Sequence, residues 1–170
     1  SDPGHRPLDA KLDQVHALVA DGAEMIDVGG QSGITNVAEV DPSEEIDRVL
    51  PLVEAIVRDL PHVAISVDTY KPAAVRAVLE AGAHLVNDVS GLRAPELAPL
   101  VAAHRAGLVV MHTAAPPKTR LQTSDLYGDV VADVRDFLTA KVAEAVAAGV
   151  DQRSILVDPG PDFTKTPAQT

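Results

Sequence analysis

The chain has 170 residues, enough for one domain with a substantial core, and 46% of them are hydrophobic. Its net charge of −11 argues against nonspecific nucleic-acid binding, which needs a basic surface. There is no cysteine and no apolar run long enough to span a bilayer, so disulfide frameworks, thiolate zinc sites, cysteine nucleophiles and membrane spans are set aside, and a cytoplasmic setting is expected.

In chain order, Leu8, Leu12, Val15 and Val19 mark one face of a first helix, with Gly22 placed as its stop. Met25 to Val28 predicts a short strand broken by Gly29 and Gly30, and residues 31–40 form a polar loop. Asp41, Pro42 and Glu44 give the next helix a cap, a first-turn proline and an early acid. Its expected buried stripe is Ile46, Val49, Val53, Ile56, Val57 and Leu60, with a local kink at Pro51. Val63, Ile65 and Val67 predict a buried strand ending at Asp68 and Thr69. Pro72 opens a helix with Val75, Val78 and Leu79 on its apolar side, and Gly82 ends it before a strand that closes on Asn87 and Asp88.

Leu97, Leu100, Val101 and His104 mark a short helix, and Gly107 leads into a strand ending at Met111 and His112. A proline-rich polar loop carries Lys118 and Arg120. A long helix follows, with Leu126, Val130, Val134, Leu138, Val142 and Ala145 on one side and Gly149 as its stop. The last strand, Ile155 to Val157, ends at Asp158.

The unit of helix, glycine, strand and polar residue recurs at Gly22, Gly82, Gly107 and Gly149. Strict alternation predicts a parallel sheet with right-handed crossovers. Parallel strands run the same way, so Asp27, Asp68, Asn87, His112 and Asp158 should gather at one carboxyl edge, where such folds bind ligands. No G-x-G-x-x-G follows the first strand, which weighs against a dinucleotide fold, and the length falls short of the roughly 250 residues of a full barrel. The fold class expected is α/β, a partial (β/α)8 TIM barrel. His112 stands alone as a metal ligand, so no metal site is read from spacing.

The blocks GAEMIDVGGQSG, ISVDTYKP, AGAHLVNDVSGL, VVMHT with PPKT, and DPGPDFTKT resemble, in order, those of the dihydropteroate synthase family, a barrel of the pterin-binding superfamily. The resemblance implies one pterin-binding domain over residues 1–170, about strands 2 to 6 of the barrel, without the first strand or the last two β/α units. It implies condensation of a hydroxymethyl-dihydropterin pyrophosphate with p-aminobenzoate. Asp68, Asn87 and Asp158 match the polar residues that hold the pterin, and Val89, Met111 and Phe163 match the apolar side chains packed around it. A carboxylate accepting two adjacent N–H donors suits that ring. Lys118, Arg120 and Lys165 are phosphate or loop candidates, and Asp27 is read as tying loop to strand. No catalytic residue is assigned. The family's Mg2+ is associated with an asparagine on the first strand, and a homodimer is the expected assembly.

The sequence also departs from the family. Gly33 and Ile34 replace a threonine and an arginine, while Pro161, Asp162 and Thr164 replace an apolar residue and two glycines. Without that arginine, and without the lysine and arginine that the resemblance implies on the last two strands, the chain alone is expected to be inactive, and its bare strand edges are expected to need covering. The competing readings are a pterin-dependent methyltransferase domain, which needs no pyrophosphate site, and a non-catalytic pterin-binding protein.

Overall fold

Each short β-branched segment pairs in parallel with the one before it, so strand order in the sheet equals order in the chain: β1 (Met25–Gly29), β2 (Ala64–Asp68), β3 (Leu85–Asp88), β4 (Gly107–Met111) and β5 (Ile155–Asp158). The computed structural model describes residues 6–33 and 38–170. Helices α1 (Leu8–Ala20), α2 (Pro42–Asp59), α3 (Pro72–Glu80), α4 (Leu97–His104) and α5 (Val130–Ala147) precede their strands, and each packs on the next along the outside of the sheet. An order that never reverses is the arc of a barrel rather than a doubly wound sheet, whose order switches direction.

The core lies between that helical layer and one face of the sheet. Ile26, Val28, Ile65, Val67, Val86, Leu108 and Val110 meet Val49, Val53, Ile56, Val75, Val78, Leu97 and Val101, all of them buried. Fully burying one such side chain stabilises by roughly 1.5–3 kcal/mol, so this seam dominates the fold. The register places the other face together: Asp27 beside Ser66, Asp68 beside Asn87, Asn87 beside Val109, and Met111 beside Asp158.

Local signals explain most boundaries. Asp41 caps α2 by accepting from the Ser43 N–H at 2.9 Å, with Pro42 in the first turn. Gly82, at φ +104°, closes α3: its N–H reaches Leu79 O, and the Ala83 N–H reaches Val78 O. The same closure follows α4, but the left-handed residue there is Arg105 at φ 53°, not Gly107. Gly107 instead starts β4, where an added Cβ would come within 2.4 Å of Leu85 Cδ1. Leu126 falls before α5 rather than in it, because Asp129 caps that helix by accepting from the Val131 and Ala132 N–H groups. The buried face of α2 is rotated from the expected stripe: Glu45 and Leu52 are inside, while Val57 is exposed.

β1 and β5 are the edges of the sheet. On the β5 side Leu156 is 53% and Val157 55% exposed, and Val131 on α5 is 73% exposed. Among the described residues no helix is long and apolar enough to cross a membrane.

Candidate functional site

At the carboxyl edge of the sheet, the loops after β1, β2, β4 and β5 enclose a cleft of about 310 Å³. That volume is at the lower end of the range for small-molecule sites, roughly 300–1,000 Å³. Asp68 and Tyr70 come from the end of β2, Val89 from the end of β3, and Gln31 and Ser32 from the β1–α2 loop. The β4–α5 loop adds Thr113, Pro116, Pro117, Lys118 and Arg120, and the loop after β5 adds Asp162, Phe163 and Thr164.

Asp68 closes a strand whose other residues are apolar apart from the buried Ser66. Burial is the main reason its carboxyl is pushed up to about 7, the charges of Asp27 and Glu45 adding to the shift and Lys118 opposing it. Neither the Asp68 carboxyl nor the Asn87 amide finds a hydrogen-bond partner among the described residues. They stand side by side in the register, so the sheet face at the carboxyl edge carries an acceptor pair next to an amide, Asp68 itself lining the cleft. Asp27, expected to tie loop to strand, makes no hydrogen bond among the described residues; it acts on Asp68 through its charge. Asp88, next to Asn87, points to the opposite face and is fully buried, where its carboxylate accepts from the Ser90 N–H at 2.8 Å and the Leu92 N–H at 2.6 Å. It holds the β3–α4 turn.

Of the other expected residues, Val89, Phe163, Lys118 and Arg120 line the cleft with Asp68. Asn87, Met111 and Asp158 share the sheet face of Asp68 but not the cleft lining; Met111 is 1% exposed, and Asp158 Oδ1 accepts from the Gly160 N–H at 2.7 Å. Lys165 is a correction. It is 2% exposed, and its ammonium points inward to His112 Nδ1, Gly160 O and Phe163 O, so it offers no charge to a phosphate in the cleft. Lys118 donates to Ser32 O across the cleft, which joins the β4–α5 loop to the β1–α2 loop. Ser1, Asp2, Ile34, Thr35 and Asn36 lie outside the described residues.

Sequence reasoning missed a second set. Lys71 pairs with Glu45 at 2.6 Å, although neither Glu45 oxygen accepts a well-aligned hydrogen bond, and the two side chains are 8% and 0% exposed. Lys71 also donates to Val40 O and to Gln31 Oε1; Gln31 donates to Tyr70 OH at 3.0 Å, and Tyr70 donates to Glu39. This chain of contacts fastens the β1–α2 loop to α2 and to the end of β2. A signal was available, since Glu45 is one turn before the buried Val49 and Lys71 follows Asp68 in VDTYKP.

The family model described as Pterin binding enzyme matches residues 1–170. The dihydropteroate synthase of Mycobacterium leprae is 44% identical over 151 residues, which is 88% of this chain and 52% of that protein. The chain therefore spans about half the length of this curated relative. Among solved structures, a Yersinia pestis dihydropteroate synthase in a sulfonamide drug complex superposes with a TM-score of 0.91 at 36% identity, covering 98% of this chain and 60% of that one. A Burkholderia cenocepacia dihydropteroate synthase complexed with 7,8-dihydropteroate gives 0.84 at 42% identity, covering 95% and 57%. The five parallel strands and their helices are thus a contiguous part of the α/β barrel found in those enzymes.

Proposed function

The chain belongs to the pterin-binding enzyme family, and from that premise we propose that it is the pterin-holding part of a dihydropteroate synthase. The observation that carries the reading is the pairing of Asp68 with Asn87 at the carboxyl edge, both with open hydrogen-bonding capacity. A 2-amino-4-oxo pterin presents adjacent N–H donors to the Asp68 carboxylate, and the Asn87 amide both donates to and accepts from the remaining ring edge. Val89 and Phe163 pack on the ring faces, with Met111 and Asp158 behind them. Lys118 and Arg120 face the anionic end of the ligand.

In the reaction, the arylamine nitrogen of p-aminobenzoate attacks the exocyclic methylene carbon of the pterin. The C–O bond to the diphosphate breaks, the electron pair leaves with the diphosphate, and the amine loses a proton. Lys118 and Arg120 are the cations lining the described cleft, which also carries Asp68 and Asp162. That balance favours holding the heterocycle over stabilising a leaving diphosphate. The 170-residue chain by itself is therefore expected to bind 6-hydroxymethylpterin in calorimetric titration, yet to give no pteroate above background from the two substrates. Absence of pterin binding would sink the reading, and pteroate formation would overturn the expected inactivity.

Among the described residues no group of three or more His, Cys, Asp or Glu is arranged to hold a metal ion. The bare apolar side chains of β5 and α5 support assembly with further protein, a homodimer in the case of this chain alone. Light scattering is expected to show a species larger than the monomer, and a monodisperse monomer would count against it. A cytoplasmic setting goes with the synthase reading alone, and cell fractionation tests it.

A further inference from the structure

Lys165 is a buried cation in the loop after β5, next to cleft-lining Thr164 but not itself part of the lining. An ammonium has three N–H donors, and three acceptors surround this one: His112 Nδ1 at 2.9 Å, Gly160 O at 3.0 Å and Phe163 O at 3.1 Å. That geometry requires Nδ1 of His112 to be unprotonated, and burial, with the Lys165 charge, pushes His112 down to about 4. His112 is itself wedged edge-on to Phe137 at 4.9 Å and beside Tyr127 at 5.7 Å.

The neighbouring Thr164 is held at φ 56°, a left-handed conformation that is strained for a β-branched residue. Its hydroxyl is a junction. Oγ1 accepts from the Ala114 N–H at 3.0 Å, donates to Phe163 O at 2.7 Å and bonds Tyr127 OH at 2.8 Å. Gly160 completes the contact: it lies so close to β4 that an added Cβ would come within 2.3 Å of His112 O. The two walls of the cleft, one after β4 and one after β5, are thereby fixed to each other at several points.

We propose that Lys165, His112 and Thr164 form a clasp that positions the loop after β5, with Asp158 at its root and Phe163 at its tip, against the β4–α5 loop, and that ligand affinity depends on it. The part about affinity rests on the pterin reading; the clasp itself does not. Lys165 and His112 are positioning residues, because neither lines the cleft, whereas Thr164 does.

The test compares the wild-type chain with Lys165→Met, His112→Leu and His112→Asn by amide hydrogen exchange and by fluorescence titration with 6-hydroxymethylpterin. Asn matches Leu in shape but keeps an acceptor near the Nδ1 position. Peptides carrying the Ala114 and Phe163 amides are expected to exchange about 10-fold faster in Lys165→Met and His112→Leu, with β2 and β3 unchanged, and pterin affinity to fall by a similar factor. His112→Asn should restore both. Unchanged protection in His112→Leu, or loss in His112→Asn equal to that in His112→Leu, overturns the clasp even if Lys165→Met fails to fold. A wild-type chain that binds no pterin overturns the functional reading, while exchange still decides the clasp.

Discussion

Replacing Asp68 by Asn is expected to make the protein more stable above neutral pH and at the same time remove its affinity for a pterin. The Asp68 carboxyl keeps its proton up to about pH 7 in the folded chain, whereas an unfolded aspartate loses it near pH 4. Between those values the folded state binds more protons than the unfolded one, so stability falls as pH rises through the window and stays reduced above it. A shift of that size corresponds to about 4 kcal/mol before discounting, and to ~2 kcal/mol once screening by the open cleft is allowed for. Asn carries no such term. Thermal melts at pH 8 should therefore place Asp68→Asn several degrees above wild type, while melts near pH 4 should converge.

Binding should show the opposite effect. A pterin that donates two hydrogen bonds to Asp68 selects the carboxylate, so wild-type affinity should rise with pH through about 7 and then level off. Asp68→Asn should lose that dependence and bind at least ~100-fold more weakly, as expected for two charge-assisted hydrogen bonds. A variant with the wild-type pH slope of stability would show that Asp68 is not the buried acid described here. One that binds pterin normally would remove Asp68 from the proposed site.

Lys71→Met should have the largest effect on folding. It leaves the Glu45 carboxylate, 0% exposed, without the cation 2.6 Å away. Breaking one side of such a pair costs about 3–5 kcal/mol, because the surviving charge stays buried. Exchanging both, Glu45→Leu with Lys71→Met, should recover most of that loss, since apolar side chains of similar volume need no compensation. Urea denaturation of the four proteins completes a double-mutant cycle. Lys71→Met within 1 kcal/mol of wild type would mean that water or rearrangement already satisfies Glu45. The double variant should still loosen the β1–α2 loop, because Gln31 and Val40 also lose their contacts with Lys71.

Tight packing places Glu45 where it is. An added Cβ at Gly30 would come within 2.8 Å of Glu45 Cγ and 2.9 Å of Val49 Cγ1, so the loop after β1 lies directly on α2. The second glycine of the GG break is thus explained by a contact, not by a turn.

The sequence by itself determined the order of elements, their parallel pairing and the face that carries Asp68, Asn87 and Asp158. Those follow from local signals: β-branched runs, caps such as Asp41, glycine stops and the two-residue period of a strand. The family blocks followed from the same stretch of letters. Only the tertiary structure decided which way a charge points. Lys118 and Lys165 both sit in polar loops of the sequence, yet one lines the cleft and the other is enclosed by three acceptors 2.9–3.1 Å away. Glu45 and Lys71, from segments 26 positions apart, become a single buried pair only once α2 packs against α3, at whose start Lys71 stands. Period and propensity report each residue's relation to its own helix or strand; the partner of a buried charge comes from another part of the chain, and only the folded packing supplies it.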